Sequence, residues 1–252
     1  KIMKERFGAK KPESMRLRFH CQTAAASLTR EQYQINIART SFQALSAVLG
    51  GAQSLHTNGM DEAFAIPTQE AMKIALRTQQ IIAEETNVAS VIDPLGGSYF
   101  IESLTADFER KMFEILDQID SMGGVVKAIE DGWCQKEISD SAYETAHKRA
   151  NGERTMIGVN KFVETEEETD IALHAFDPTT EKRQCERLNR VRKERDNEKV
   201  RRLLEKLKEV ARNEDENLMP ITIELAKARA TMGDIVETLK EVWGTYRETP
   251  VI

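Results

Sequence analysis

Four polar side chains in two short segments have the types and spacing to hold a polar ligand. Met15 to Gln22 alternates with a period of two: Met15, Leu17 and Phe19 lie on one side, Arg16, Arg18, His20 and Gln22 on the other. A second segment, Ala52 to Asn58, puts Ser54, His56 and Asn58 on one face, and Glu62 follows four residues later. An amide offers donor and acceptor together, and an imidazole either one according to its tautomer. At the C-terminal mouth of a barrel, an Asn and a Glu suit hydrogen bonding to a ribose or a base. Two arrangements fit the first segment equally well. It is either a strand of a closed barrel with a ligand on its axis, or a strand of an open sheet with one wet face. In an ordinary parallel barrel the inward side chains are bulky and apolar. A polar lumen is costly unless ligand or water fills it. Glu62 taken alone reads as a solvated carboxylate in a loop turn.

The elements that must position these residues alternate. Lys1 to Ala9 reads as the end of a helix, closed by Gly8 and Pro12. Thr29 with Gln32 three residues on predicts a capping box. The helix it opens carries Ile37, Phe42, Leu45 and Leu49 and stops at Gly50-Gly51. After the second strand, Pro67 suits the first turn of a helix that runs through Ile74, Thr78, Ile81 and Ile82 to about Glu85. Strand–helix–strand–helix with helical crossovers implies a parallel sheet or barrel.

Asp93-Pro94-Leu95-Gly96-Gly97-Ser98 is a turn-rich junction, and the pattern beyond it is helical. Helices are predicted over 105–121, 125–131 and 135–150, then a short strand at 157–160 and a solvated acidic loop at 164–170. A long charged helix over 178–212 and two helices near 219–230 and 232–244 follow. The expected domains are 1–92 and 93–252.

Charge and cysteine usage exclude several classes. Net charge is -6 with both signs interleaved, so the basic footprint of a nucleic-acid binder is missing. No apolar run is long enough to span a bilayer. Cys21, Cys134 and Cys185 are odd in number and far apart, which argues against a disulfide framework and for a reducing cytoplasm. Cys21 falls on the apolar side of its strand and reads as a packing residue. His147 and His174 read as surface or capping residues, and no metal site is expected. The start, Lys1-Ile2-Met3-Lys4, reads as trimmed or as that of a fragment.

A series of words then carries a resemblance. RFHCQT at 18–23, SLT at 27–29, ART at 38–40, GGAQSLHTNGMDEA at 50–63, IPT at 66–68 and RTQ at 77–79 occur in order. DPLGGSY at 93–99, MGGVVKAIEDG at 122–132 and IGVNKF at 157–162 continue it. The chain thus resembles the C-terminal part of the barrel subunit of the adenosylcobalamin-dependent acyl-CoA mutase family, with methylmalonyl-CoA mutase as the leading type. The resemblance implies an α/β fold: the last strands and helices of a parallel (β/α)8 barrel over 1–92, then a mostly helical linker region over 93–252 that wraps it. It implies that coenzyme A threads the barrel axis, which accounts for the polar strand face.

By the same resemblance, His20 and Gln22 match a pair near the substrate thioester, with Gln22 the direct contact. Asn58 and Glu62 match positions that hold the adenosyl group of adenosylcobalamin. The implied reaction is a radical carbon-skeleton rearrangement that interconverts methylmalonyl-CoA and succinyl-CoA. Isobutyryl-, 2-hydroxyisobutyryl- and ethylmalonyl-CoA remain open as substrates. So does a non-catalytic scaffold that only binds a cobalamin-carrying partner. Ala24-Ala25-Ala26 departs from the family's serine, glycine and larger residue. The family's Gly-Tyr-His segment, the arginine and tyrosine that choose the acyl carboxylate, and a D-x-H-x-x-G cobalt-ligand motif are all absent. The implied partners are therefore a missing N-terminal barrel portion and a small cobalamin-binding subunit, with this chain inactive alone.

Overall fold

Apolar residues recurring every three to four positions build most of this chain into helices, and among the described residues two short segments pair as strands. The computed structural model describes residues 1–164 and 171–248. By internal contacts the chain divides into two compact units, 1–175 and one beginning at residue 176.

In the first unit, a short helix α1 (Ile2–Glu5) and a 3-10 turn (Pro12–Met15) lead to strand β1 (His20–Gln22). Helix α2 (Asn36–Leu49), strand β2 (Ser54–His56) and helix α3 (Gln69–Glu84) follow. β1 and β2 pair in parallel, with His20 opposite Ser54, Cys21 opposite Leu55 and Gln22 opposite His56. The helical crossover between them is the connection that a parallel pair requires. The expected strand over Met15 to Gln22 is thus only three residues long, because β2 offers no ladder partner for Met15 to Arg18. Among the described residues the sheet has two strands. The α/β character therefore stands, while a closed barrel is not formed by these elements.

α2 and α3 pack together, and the residues they bury include Thr40 and Ala44 in α2 and Ala71, Ala75, Thr78 and Ile82 in α3. α3 begins with Thr68 as N-cap, its hydroxyl accepting from Ala71 N at 3.3 Å. Pro67 therefore precedes the cap rather than sitting in the first turn. The capping box expected at Thr29 does not form. Gln32 adopts a left-handed φ of 44°, a 3-10 turn (Tyr33–Ile35) intervenes, and α2 starts at Asn36. Thr29 Oγ1 donates instead to Glu31 O at 2.9 Å.

Helices α4 (Tyr99–Ser121), α5 (Val125–Glu130) and α6 (Trp133–Ala150) complete the regular structure of this unit. α4 starts six residues earlier than expected, directly after the Asp93–Ser98 turns. The expected strand at 157–160 is a tight turn closed by one bridge between Ile157 and Lys161. Residues 165–170, most of the predicted acidic loop, lie outside the described residues.

The second unit holds α7 (Thr179–Glu194), α8 (Asn197–Ala211), α9 (Met219–Lys227) and α10 (Met232–Trp243). The long helix predicted over 178–212 breaks at Arg195-Asp196, where Arg195 is extended and the Asp196 side chain caps α8 by accepting from Lys199 N. The core of this unit is Leu207, Val210, Ile221 and Leu225, with Leu203, Leu204, Leu218, Ile235 and Leu239 packed around it.

Candidate functional site

Parallel pairing in register places alternate residues of both strands on one face. His20 and Gln22 from β1 thereby stand beside Ser54 and His56 from β2. His20 Nδ1 and Ser54 Oγ are 2.8 Å apart, and both residues are exposed. The ladder continues past the last paired residues, with Thr23 N donating to His56 O at 3.1 Å. That bond carries the chain directions of both strands into the two loops that follow them.

At the C-terminal ends of the strands, Gln22 and Asn58 come together. Gln22 Nε2 donates to Asn58 Oδ1 at 3.3 Å. Thr23 Oγ1 donates to the same Oδ1 at 3.0 Å and accepts from Asn58 N at 3.0 Å. Thr23 and Asn58 are 5% and 2% exposed. The two bonds to Oδ1 engage the amide oxygen of Asn58, and its Nδ2 is buried with no partner. Buried donors are nearly always satisfied in folded proteins, so an orphaned one asks for an acceptor.

The loop after Asn58 is tightly built. Gly59 is buried, and a Cβ there would lie 2.8 Å from Asp61 Oδ1 and 2.9 Å from Pro67 Cβ, so only glycine fits. Asp61 is 3% exposed. Its Oδ2 accepts from Thr68 N at 2.8 Å and from Thr68 Oγ1 at 2.9 Å, while Oδ1 is buried without a partner. Glu62 is half-buried in the turn closed by Glu62 N donating to Gly59 O at 3.2 Å, and its carboxylate has no ion-pair partner among the described residues. An unpartnered amide N–H, an exposed glutamine amide and an open carboxylate make a donor and acceptor set. Such a set fits a sugar hydroxyl or a nucleobase edge.

The structure thus brings Gln22 and Asn58 into contact and places His20 two residues before Gln22 on the same strand face. Glu62 lies in the loop after Asn58, and among the described residues no hydrogen bond or ion pair joins its side chain to the other three. Sequence reasoning missed Thr23, Asn36 and Asp61. Thr23 follows the alternating run with no pattern of its own, and Asn36 and Asp61 reveal their roles only through burial. Cys21 is half-buried, with its Sγ near Gln22 O. His147 stacks on Tyr143, and His174 is exposed. Among the described residues, no helix is long and apolar enough to cross a membrane, and no three His, Cys, Asp or Glu side chains are grouped to hold a metal ion.

Comparison with known proteins adds an independent line. The family model described as methylmalonyl-CoA mutase matches residues 1–245. The 2-hydroxyisobutanoyl-CoA mutase large subunit of Aquincola tertiaricarbonis is 66% identical over 251 residues, covering 100% of this chain and 45% of that protein. Methylmalonyl-CoA mutase of Rhizobium meliloti is 40% identical over 253 residues, covering 100% of this chain and 35% of that protein. The mitochondrial methylmalonyl-CoA mutase of Homo sapiens is 37% identical over 247 residues, covering 98% and 33%. The chain therefore spans less than half the length of these curated relatives. A match that runs through nearly every element described above, and includes both strands and their loops, makes this chain a member of the methylmalonyl-CoA mutase family.

Proposed function

We propose that this chain is the C-terminal part of the large subunit of an adenosylcobalamin-dependent acyl-CoA mutase. The observation that carries this reading is the buried, unpartnered Asn58 amide beside Gln22, at the C-terminal ends of two parallel strands. On this reading residues 1–92 complete a (β/α)8 barrel, and the helices from residue 93 on form the region around it. The two open edges of the β1–β2 sheet support an N-terminal barrel portion as partner, since a barrel leaves no edge unpaired.

When bound, adenosylcobalamin supplies the hydrogen-abstracting chemistry that starts the carbon-skeleton rearrangement. Cobalt is held by a domain or small subunit outside this chain. The residues here position and shield. The Gln22 amide donates to the thioester carbonyl and holds the acyl group in one orientation. His20, fixed against Ser54, lies beside the thioester end. Asn58 Nδ2 would donate to the nucleoside, and the Glu62 carboxylate would accept from a ribose hydroxyl. Thr23 holds the Asn58 backbone N–H and side-chain oxygen together, which leaves Nδ2 for the ligand.

The relatives favour one acyl group. Identity of 66% to a 2-hydroxyisobutanoyl-CoA mutase large subunit, against 40% to a methylmalonyl-CoA mutase, favours 2-hydroxyisobutanoyl-CoA over methylmalonyl-CoA, the substrate that the resemblance had put first. A reducing cytoplasm suits the three unpaired cysteines.

The test takes the longest natural form of this chain with its cobalamin-binding partner and adenosylcobalamin, and assays a panel of acyl-CoA thioesters for isomerisation. We expect turnover of 2-hydroxyisobutanoyl-CoA to exceed that of methylmalonyl-CoA. We expect Gln22→Ala to lower kcat by about 100-fold, the order of loss that a misplacement of ~1 Å brings. Cofactor binding without isomerisation of any thioester would instead leave a scaffold that only docks the cobalamin-carrying partner.

A further inference from the structure

The loops that follow β1 and β2 are joined by one buried side chain. Asn36 is 0% exposed. Its Nδ2 donates to Thr29 O at 2.8 Å in the first loop and to Met60 O at 2.9 Å in the second. Its Oδ1 accepts from Thr29 N at 3.1 Å and from Arg39 Nη1 at 2.7 Å. Both donors and both acceptor sites of the amide are thereby used. Met60 lies midway between Asn58 and Glu62, so its carbonyl sets where that loop runs.

Arg39 extends the connection to a third segment. Its Nη1 also donates to Thr29 Oγ1 at 2.7 Å, and its Nη2 donates to Ile157 O at 2.7 Å. Gln32 Nε2 donates to Phe162 O at 2.8 Å, a second bond between the same regions. The 154–162 turn is held together from within: Asn160 Oδ1 accepts from Met156 N at 2.7 Å, and its Nδ2 donates to Arg149 O and Arg154 O. A prearranged turn is thus strapped to the start of α2, and through Asn36 to the loop of Asn58 and Glu62. Burial lowers the Arg39 pKa, with Glu31 opposing it, but the guanidinium stays charged throughout the physiological range.

We propose that Asn36 and Arg39 are positioning residues of the mutase site, which hold the 58–62 loop in register with Gln22 and make that register depend on the strap at 156–162. Neither residue touches substrate or cofactor. They act through Met60 O on the loop that carries Asn58 and Glu62. The inference rests on the acyl-CoA mutase reading for its consequence in turnover, but not for its mechanical part. Mere packing is the competing account, because Tyr33 and Phe64 also bridge these loops, edge to face at 5.7 Å.

The two variants are Asn36→Asp, which keeps the shape but loses both Nδ2 donors, and Arg39→Lys, which keeps the charge but loses the fork that reaches Thr29, Asn36 and Ile157 together. Both are made in the longest natural form of the chain. Amide hydrogen exchange is read first, since it needs neither substrate nor cofactor. We expect exchange in 58–64 to quicken by about tenfold or more in both variants, with 156–162 quickening in Arg39→Lys, as local opening becomes easier. Exchange in 58–64 that matches wild type in either folded variant would overturn the proposal. Kinetics with adenosylcobalamin and the partner follow. We expect kcat to fall by about 10- to 100-fold with the acyl-CoA KM changed by less than about threefold, the signature of lost transition-state positioning. Unchanged kcat per folded molecule, with only a lower Tm, would make Asn36 and Arg39 ordinary structural residues. If wild type isomerises nothing, the mutase reading fails on its own, and the exchange result still decides the coupling of the loops.

Discussion

Thr23 and Asn58 form a pair in which each backbone or side-chain group has one correct orientation. Thr23 Oγ1 is at once donor to Asn58 Oδ1 and acceptor from Asn58 N. Thr23→Val keeps the shape and removes both roles. The Asn58 N–H is then buried without an acceptor, at a cost of about 1–3 kcal/mol. We expect the denaturation midpoint to fall accordingly, while Thr23→Ser stays near wild type. Gly59 gives a harder limit. A methyl group there meets Pro67 Cβ and Asp61 Oδ1 inside 3 Å, and the Pro67 ring is not free to swing aside. Gly59→Ala should therefore displace the loop of Asn58 and Glu62. A loss of activity larger than the loss of thermal stability is the expected outcome in paired kinetic and melting measurements.

Helix starts decide where these loops are anchored. α3 begins where Thr68 caps it, and Asp61 in turn accepts from the Thr68 backbone and hydroxyl, so one threonine ties the site loop to a helix. Thr68→Ala should cost about 1–2 kcal/mol, read in a denaturant titration, from the lost cap and the weakened Asp61 contact. In the second unit, the start of α10 is a capping box of Thr231 and Asp234, and Asp234 also pairs with Arg195 at 2.6 Å. Burial pushes the Asp234 carboxyl upward. The Arg195 guanidinium and the Thr231 hydrogen bonds outweigh that and hold it down at about 2, against an ordinary 3.8. A depressed carboxylate stabilises the fold above its unfolded pKa and loses that contribution as pH falls through the folded one. The contribution, on the order of 1–2 kcal/mol after solvent screening, should be complete above pH 4 and fade toward pH 2. Asp234→Asn should flatten that part of the stability–pH curve, measured by urea melts across the range.

The two units differ in what they bury. From residue 176 on, α8, α9 and α10 share the core of Leu207, Val210, Ile221 and Leu225. Residues 1–92 hold two three-residue strands with open edges and an apolar cleft of about 510 Å³ between α2 and α3, where Phe42 is 74% exposed. α4 buries no residue at all, although Phe100, Leu104, Phe108, Met112 and Ile115 recur along one side of it. A two-stranded sheet is marginal alone, and apolar helix stripes gain stability only by packing. We expect a peptide of residues 176–248 to be helical and to melt cooperatively in circular dichroism. A peptide of residues 1–92 should show no cooperative transition. Cooperative melting of the N-terminal peptide would contradict the view that this region completes a larger barrel.

Local pattern was enough for much of this molecule. The period-two run ending at Gln22, the polar face of Ser54, His56 and Asn58, and the crossover helix between them were legible because strand and helix periods are properties of neighbouring residues. So was the family, since ordered words survive where folds diverge in detail. The extent of the strands was not legible, because a strand exists only where a partner pairs with it, and Met15 to Arg18 have none. The capping box at Thr29 looked sound for the same reason that it failed. Its hydroxyl and backbone were taken by groups from Asn36 and Arg39, seven and ten residues away, and no three-residue window contains that competition. The orphaned Asn58 amide, the carboxylate of Asp61 and the link through Asn36 to Met60 likewise arise from burial and distance between segments. Sequence alone determined which residues were available for chemistry and which family they belong to. Only the tertiary structure decided which of them meet, because hydrogen bonding at buried sites is settled by whichever group arrives closest with its partner unmet.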